Sequence, residues 1–211
     1  MAVVLPPRGY SEGFTERARG ICVVDPRTIL DRVNQVESNL VESFNLGDSY
    51  ERREYLYEVF DKVKTMPELK EYLDEYNSEL EKELERDVSY DLGFIVDDDD
   101  RAVITIDLAI TDKYMEISET CSHSESEEEY DECYENALEE VNSECIADVD
   151  LSLVTENISV RSYAIECTGD YCRCGNEFEI MIAGDSVKDA ISNLMFYYPR
   201  IIEIVKQVLR L

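Results

Sequence analysis

The hydrophobic period of this chain changes at Tyr90, and that change decides most of what it can fold into. Before Tyr90 the apolar residues recur at every third or fourth position, and after it they alternate. The first pattern gathers side chains into one stripe of a helix and the second onto one face of a strand. A helical N-terminal part followed by a sheet is therefore expected.

The helical part is well punctuated. Asp25 followed by Pro26 reads as an N-cap and first helical position. Ile29, Leu30, Val33, Val36, Leu40, Val41 and Phe44 then make one stripe that ends at Gly47. Asp48 and Glu51 form a capping-box pattern for a second helix with the stripe Tyr55, Leu56, Val59, Phe60 and Val63. Thr65 and Glu68 repeat the device. The third helix presents Leu69, Tyr72, Leu73, Tyr76, Leu80 and Leu84 on one face and Glu71, Glu75, Glu79, Glu81, Glu83 and Glu85 mostly on the other.

Beyond Tyr90, Leu92 to Val96 and Ala102 to Ile110 read as a hairpin turned at Asp97 to Arg101, with Tyr114 to Ile117 as a possible extension. A fourth helix is expected over Glu127 to Ala147, with Tyr130, Cys133, Tyr134, Ala137, Leu138, Val141 and Cys145 on its buried face. Val149 to Thr155, Ile158 to Cys167 and Cys174 to Ile182 read as three further strands, the last two joined through Thr168 to Tyr171. A last helix starts after Gly184 and Asp185, with a break or kink expected at Pro199. This order is α+β: about three N-terminal helices, then a mainly antiparallel sheet carrying two helices. The chain divides into an arm over 1–24, a helical region over 25–88 and an α+β domain over 89–211. Val88 to Asp91 is the boundary.

Charge bears on partners rather than on fold. The formal net charge is −29, with 49 acidic residues against 20 Lys and Arg, and the 47 residues from Tyr114 to Val160 hold fifteen acids and no Lys or Arg. Disorder is not implied, because 44% of the residues are hydrophobic and they are periodic. Lys is used seven times and Arg thirteen, a balance expected of a salt-adapted surface: at molar salt the Debye length is about 3 Å and self-repulsion is largely screened. The other reading is that the carboxylates imitate a phosphate backbone. Glu127, Glu128, Glu129, Asp131, Glu132, Glu135, Glu139 and Glu140 of the fourth helix are the interaction surface that such a reading needs.

The same field opposes direct binding to nucleic acid, whose affinity comes largely from basic groups. The arm is close to neutral, with Arg8, Arg17 and Arg19 against Glu12 and Glu16. Its Pro6-Pro7-Arg8-Gly9-Tyr10 favours an extended path, and Pro6, Pro7, Arg8, Tyr10 and Phe14 are candidates for contact with the same fold or a neighbouring subunit. No basic region followed by an apolar stretch marks a secretion signal, and no run of eighteen apolar residues marks a membrane span. An intracellular location or packaging in a virion is expected, with no membrane partner.

Chemistry is sparse in the sequence. Cys167, Cys172 and Cys174 could bind zinc with Cys121 or His123 as a fourth ligand, although the spacing is not that of paired CxxC units. Alternatively Cys167 and Cys174 face each other across a hairpin as a disulfide or as thiols; a redox-active arrangement is the remaining option. Asp97 to Asp100 lacks the glycine and terminal glutamate of a calcium loop and reads as a solvated turn. His123 is the single histidine, which restricts catalysis built on a histidine base. Neither glycine-rich nucleotide loop is present, and no cofactor is indicated. The expectation is a non-enzymatic acidic protein that works through protein contacts. It is a structural or assembly component, for instance of a virion from a saline habitat, oligomeric or part of a larger assembly. The alternative is a nucleic-acid mimic that occupies a basic groove.

Overall fold

A computed structural model describes residues 24–116, 120–124, 126–144, 149, 151–165 and 171–210, with the side chains of 112–116, 140–144, 164–165 and 171–174 left aside. The architecture is α+β. Helices α1 (Pro26–Leu40), α2 (Ser49–Val63) and α3 (Pro67–Leu84) precede strands β1 (Asp87–Val96) and β2 (Ala102–Glu116). Helix α4 (Glu127–Glu144), strands β3 (Ser152–Val154), β4 (Ile158–Ile165) and β5 (Tyr171–Gly184), and helix α5 (Val187–Leu209) follow. The strands form one antiparallel sheet in the order β1-β2-β5-β4-β3.

The alternating strand residues sort as their period requires. Ile104, Ile106, Leu108 and Ile110 of β2, Phe178, Ile180 and Ile182 of β5, and Ile158 and Val160 of β4 are buried in one core with residues of α1, α2, α3 and α5. The helical region and the sheet therefore share a single hydrophobic core. β5 is central because the chain returns from α4 and the β3-β4 hairpin to pair with β2, an arrangement local periodicity does not specify.

Several boundaries follow the expected chemistry. The Asp25 side chain accepts from the Arg27 backbone N–H, and the Asp48 side chain from that of Glu51 at 3.1 Å. The device expected at Thr65 and Glu68 is absent: Met66 is the N-cap without a side-chain bond, Pro67 opens α3, and the Thr65 hydroxyl donates to the Lys62 carbonyl. Proline's preset φ starts the helix there without help from a capping side chain. Glu37 of α1 accepts at 2.9 Å from the backbone N–H of Lys188, in the first turn of α5, so the two helices are joined end to side. Lys206 of α5 is buried beside Glu203, Glu83 and Glu79, at 3.0, 3.4 and 3.6 Å. Burial opposes its charge, but the three carboxylates outweigh that and hold its pKa above the ordinary value.

The break expected at Pro199 does not occur: α5 runs through it. Proline has no N–H to give the carbonyl four residues earlier, that of Met195. The Tyr72 hydroxyl of α3 donates to that carbonyl at 3.0 Å, and the buried Tyr198 hydroxyl donates to Asn77 of α3 at 2.7 Å. Packing against α3 supplies what the helix ladder lacks.

The turn Asp97 to Asp100 is also less solvated than its composition suggests. Asp97 accepts from the backbone N–H groups of Asp99 and Arg101 and from the Arg101 guanidinium. Burial works against ionisation of Asp97, yet these bonds outweigh it and lower its pKa. Asp100, at φ 56°, accepts from the Ser49 hydroxyl and the Arg53 guanidinium of α2. Of the four, only Asp98 and Asp99 are exposed.

Candidate functional site

The helices α1, α2, α3 and α5 share the core with one face of the sheet, and the opposite face is the most distinctive surface of the molecule. Strand alternation sends the odd-numbered residues of β1, of β2 up to Thr111, of β4 up to Tyr163 and of β5 from Gly175 onward to it. Register then sets Asp91, Asp107, Glu179 and Arg161 in one row across β1, β2, β5 and β4. Neighbouring strands lie about 4.8 Å apart, so three carboxylates are side by side before the first cation is reached. Burial, then the charges of Glu179 and Asp91, raise the pKa of Asp107. The Tyr163 hydroxyl donates to Glu179 at 3.4 Å.

Apolar groups surround the row. Ile95, Val154 and Tyr163 are 42%, 64% and 48% exposed on this same face, whereas Val103 and Ala183 at its end are buried. Beside it, β1 is an edge strand with no neighbour on its outer side among the described residues. A groove of about 340 Å³ along that edge is lined in part by Lys64, Lys70, Asp74, Tyr90 and Leu92. Its polar groups are partly committed, since the Tyr90 hydroxyl donates to Asp74 at 2.7 Å and Lys64 pairs with Asp61.

The raised pKa of Asp107 fixes the sign of a pH effect. A carboxyl whose folded-state pKa exceeds its unfolded value destabilises the fold while ionised, and the penalty disappears as pH falls through the folded pKa to below the ordinary 3.8. The Asp107→Asn variant is therefore expected to be more stable than the parent at pH 7, with the advantage shrinking on acidification. Urea midpoints of both proteins at pH 7 and pH 4 check this; a pH-independent difference would refute it.

The acidic helix is the second surface. The Ser126 hydroxyl accepts from the Glu129 backbone N–H, and Glu127, Glu128 and Glu129 follow in the first turn, where the helix dipole favours negative charge. Glu127, Glu128, Glu129, Asp131, Glu132, Glu135 and Glu139 are all exposed, while Glu140 is placed in the helix by its backbone alone. On the other side Ala137 is buried, with Tyr130, Cys133, Tyr134 and Leu138 half-buried; Cys145 lies outside the described residues. The helix packs against β2 and β5.

The cysteines differ from the expected scheme. Cys121 and Cys133 form a disulfide, with sulfurs 2.02 Å apart, that ties the turn before α4 to its second turn. Cys121 is thereby lost as a fourth zinc ligand. Their separation of twelve residues across an acidic loop carried no pairing signal; only the return of the helix over that turn brings them together. Cys167 lies outside the described residues, and Cys172 and Cys174 are placed by backbone register only, opposite Met115 and Lys113. His123 is exposed in the turn after Cys121. The arm candidates Pro6, Pro7, Arg8, Tyr10 and Phe14 also lie outside the described residues. No helix among the described residues is long and apolar enough to cross a membrane.

Fold and surface together define an α+β protein in which α1, α2, α3 and α5 cover one face of a five-stranded antiparallel sheet and the other face carries a mixed row of acidic and apolar residues. No protein-family model matches this chain, and no curated protein or solved structure matches it.

Proposed function

We propose that this is a non-enzymatic protein that acts through protein contacts, as a structural or assembly component. The observation that carries the reading is the sheet face away from α1, α2, α3 and α5, where Ile95, Val154 and Tyr163 are exposed around a row of carboxylates. Apolar groups within a mixed surface supply binding energy, and the charges beside them set register and partner choice. Self-association is the simplest use of such a surface. A particle formed at high salt is a setting in which a chain of charge −29 meets its own copies without prohibitive repulsion.

A second reading rests on α4. Its exposed Glu128, Glu132, Glu135 and Glu139 recur every third or fourth residue, about 4.5–6 Å of helix rise. That spacing is comparable to the step between phosphates on one nucleic-acid strand and supports occupation of a basic groove.

Sedimentation velocity across potassium chloride from about 0.1 M to 3 M, where the Debye length falls from about 10 Å to below 3 Å, tests both. Self-assembly predicts that mass rises with salt; a monomer throughout argues against it. The mimicry reading predicts that an oligo-arginine peptide binds the protein at least tenfold more weakly after Glu127→Gln, Glu128→Gln, Glu129→Gln, Asp131→Asn and Glu132→Gln are combined. Unchanged affinity rejects that reading.

A further inference from the structure

We infer that the Cys121–Cys133 disulfide is a redox latch: oxidised, it holds α4 on β2 and β5; reduced by a dithiol, it lets that helix leave while the rest of the fold stays intact. The inference rests on neither reading of function.

The place of α4 in the fold is the first support. Its inner side, with Ala137 buried and Tyr130, Cys133, Tyr134 and Leu138 half-buried, packs against β2 and β5. Yet no described residue of α4 belongs to the core that α1, α2, α3 and α5 share with the sheet, either as a buried member or as a partly buried neighbour. Loss of the helix therefore leaves that core whole.

The composition of α4 is the second. Its 18 residues hold nine acids and no Lys or Arg. Glu127 and Asp131, Glu128 and Glu132, Asp131 and Glu135, Glu135 and Glu139, and Glu140 and Glu144 are like charges one helical turn apart, and each pair weakens the helix. Most helical stability comes from packing rather than from the isolated segment, so α4 persists only while it is held to the sheet.

The position of the bond is the third. It joins the turn before α4 to the second turn of the helix across a separation of twelve residues. Closing a loop of that size favours the docked state by about a hundredfold. Cys121 is buried and Cys133 only half-buried, so Cys133 is the sulfur that an incoming thiolate meets. The dithiol's thiolate attacks it, the disulfide breaks, and the bonding pair goes to the Cys121 sulfur, which takes up a proton. The reductant's second thiolate then displaces Cys133, which is protonated in turn. Two electrons and two protons reach the protein, and the reductant leaves as its own disulfide. Opening bares Tyr134, Ala137 and Leu138 and the strip of β2 and β5 beneath them.

The test is amide hydrogen exchange of the full chain, read by mass spectrometry before and after dithiothreitol. It is run at about 0.1 M potassium chloride, where a Debye length of about 10 Å leaves repulsion between neighbouring turns in force. A variant combining Cys121→Ser and Cys133→Ser is measured alongside. After reduction, peptides within 127–139 are expected to exchange at least tenfold faster, while those of β5 and α5 change less than twofold. The variant should match the reduced parent and ignore dithiothreitol, which separates this bond from the other cysteines. Unchanged exchange over 127–139, or a dithiothreitol response that survives in the variant, overturns the inference. So does equal loss of protection in β5 and α5, in the reduced parent or in the variant, since the bond would then staple the whole fold. Free thiols at Cys121 and Cys133 in the air-oxidised protein overturn it as well.

Discussion

Gly184→Ala is expected to destabilise the fold by about 3 kcal/mol, the upper end of the cost of overpacking, because nothing near the new methyl group can yield. Gly184 ends β5 opposite Ala102 and is buried against the start of α5. A Cβ there would overlap the Ala190 nitrogen and lie 2.6 Å from the Asp189 carbonyl carbon and 2.8 Å from the Ala190 Cα. All three are backbone atoms of a helical turn already secured by Ser186, whose hydroxyl accepts from the Asp189 N–H. Relief requires α5 to lift from the strand, which would disturb a helix holding Ile191, Leu194, Tyr198 and Ile202 in the core. The urea midpoint is the measurement; a shift worth less than about 0.5 kcal/mol, the ordinary range of surface substitutions, would show that the closeness is not structural.

The second large effect comes from the contact that carries α5 through Pro199. In Tyr72→Phe the Met195 carbonyl loses its hydroxyl donor and has no helical N–H to fall back on. A buried acceptor left in that state costs about 1–3 kcal/mol. Burial pushes the Tyr72 hydroxyl pKa up, so it stays a donor throughout the accessible pH range. Restoring an N–H at the proline position should abolish most of the loss. In a Pro199→Ala background, Tyr72→Phe is expected to cost less than about 1 kcal/mol, and the double-mutant cycle reads the difference as coupling between the two residues. Equal costs in the two backgrounds would mean that Tyr72 does not substitute for the missing helix bond.

These effects mark where local rules were sufficient and where they were not. Pro199 reads as a helix breaker because the steric and hydrogen-bond penalties of proline are local. The donor that offsets them comes from a residue 123 positions away. Asp97 and Asp100 read as a solvated turn for the same reason. The side-chain partners of Asp100, Arg53 and Ser49, are on α2, more than forty residues upstream, and Arg53 also donates to the Asp97 carbonyl. The exposed acids of α4 were legible, since a helix with apolar groups on one side must turn the others to water. The Asp91, Asp107 and Glu179 row was not. Its members come from three strands and acquire a common row only through the β1-β2-β5 order.

The sequence by itself determined the class of fold, the approximate extent of most helices and strands, the sign of the surface field and the exposure of the acidic helix. Each follows from side-chain periodicity, turn chemistry or a sum of charges, and these are properties of neighbouring residues or of composition. Tertiary structure alone decided the central place of β5, the Cys121–Cys133 bond, the continuity of α5 and the cross-strand carboxylate row. Each depends on which distant segments meet, and long-range pairing is selected by burial of the whole core rather than by any local residue pattern.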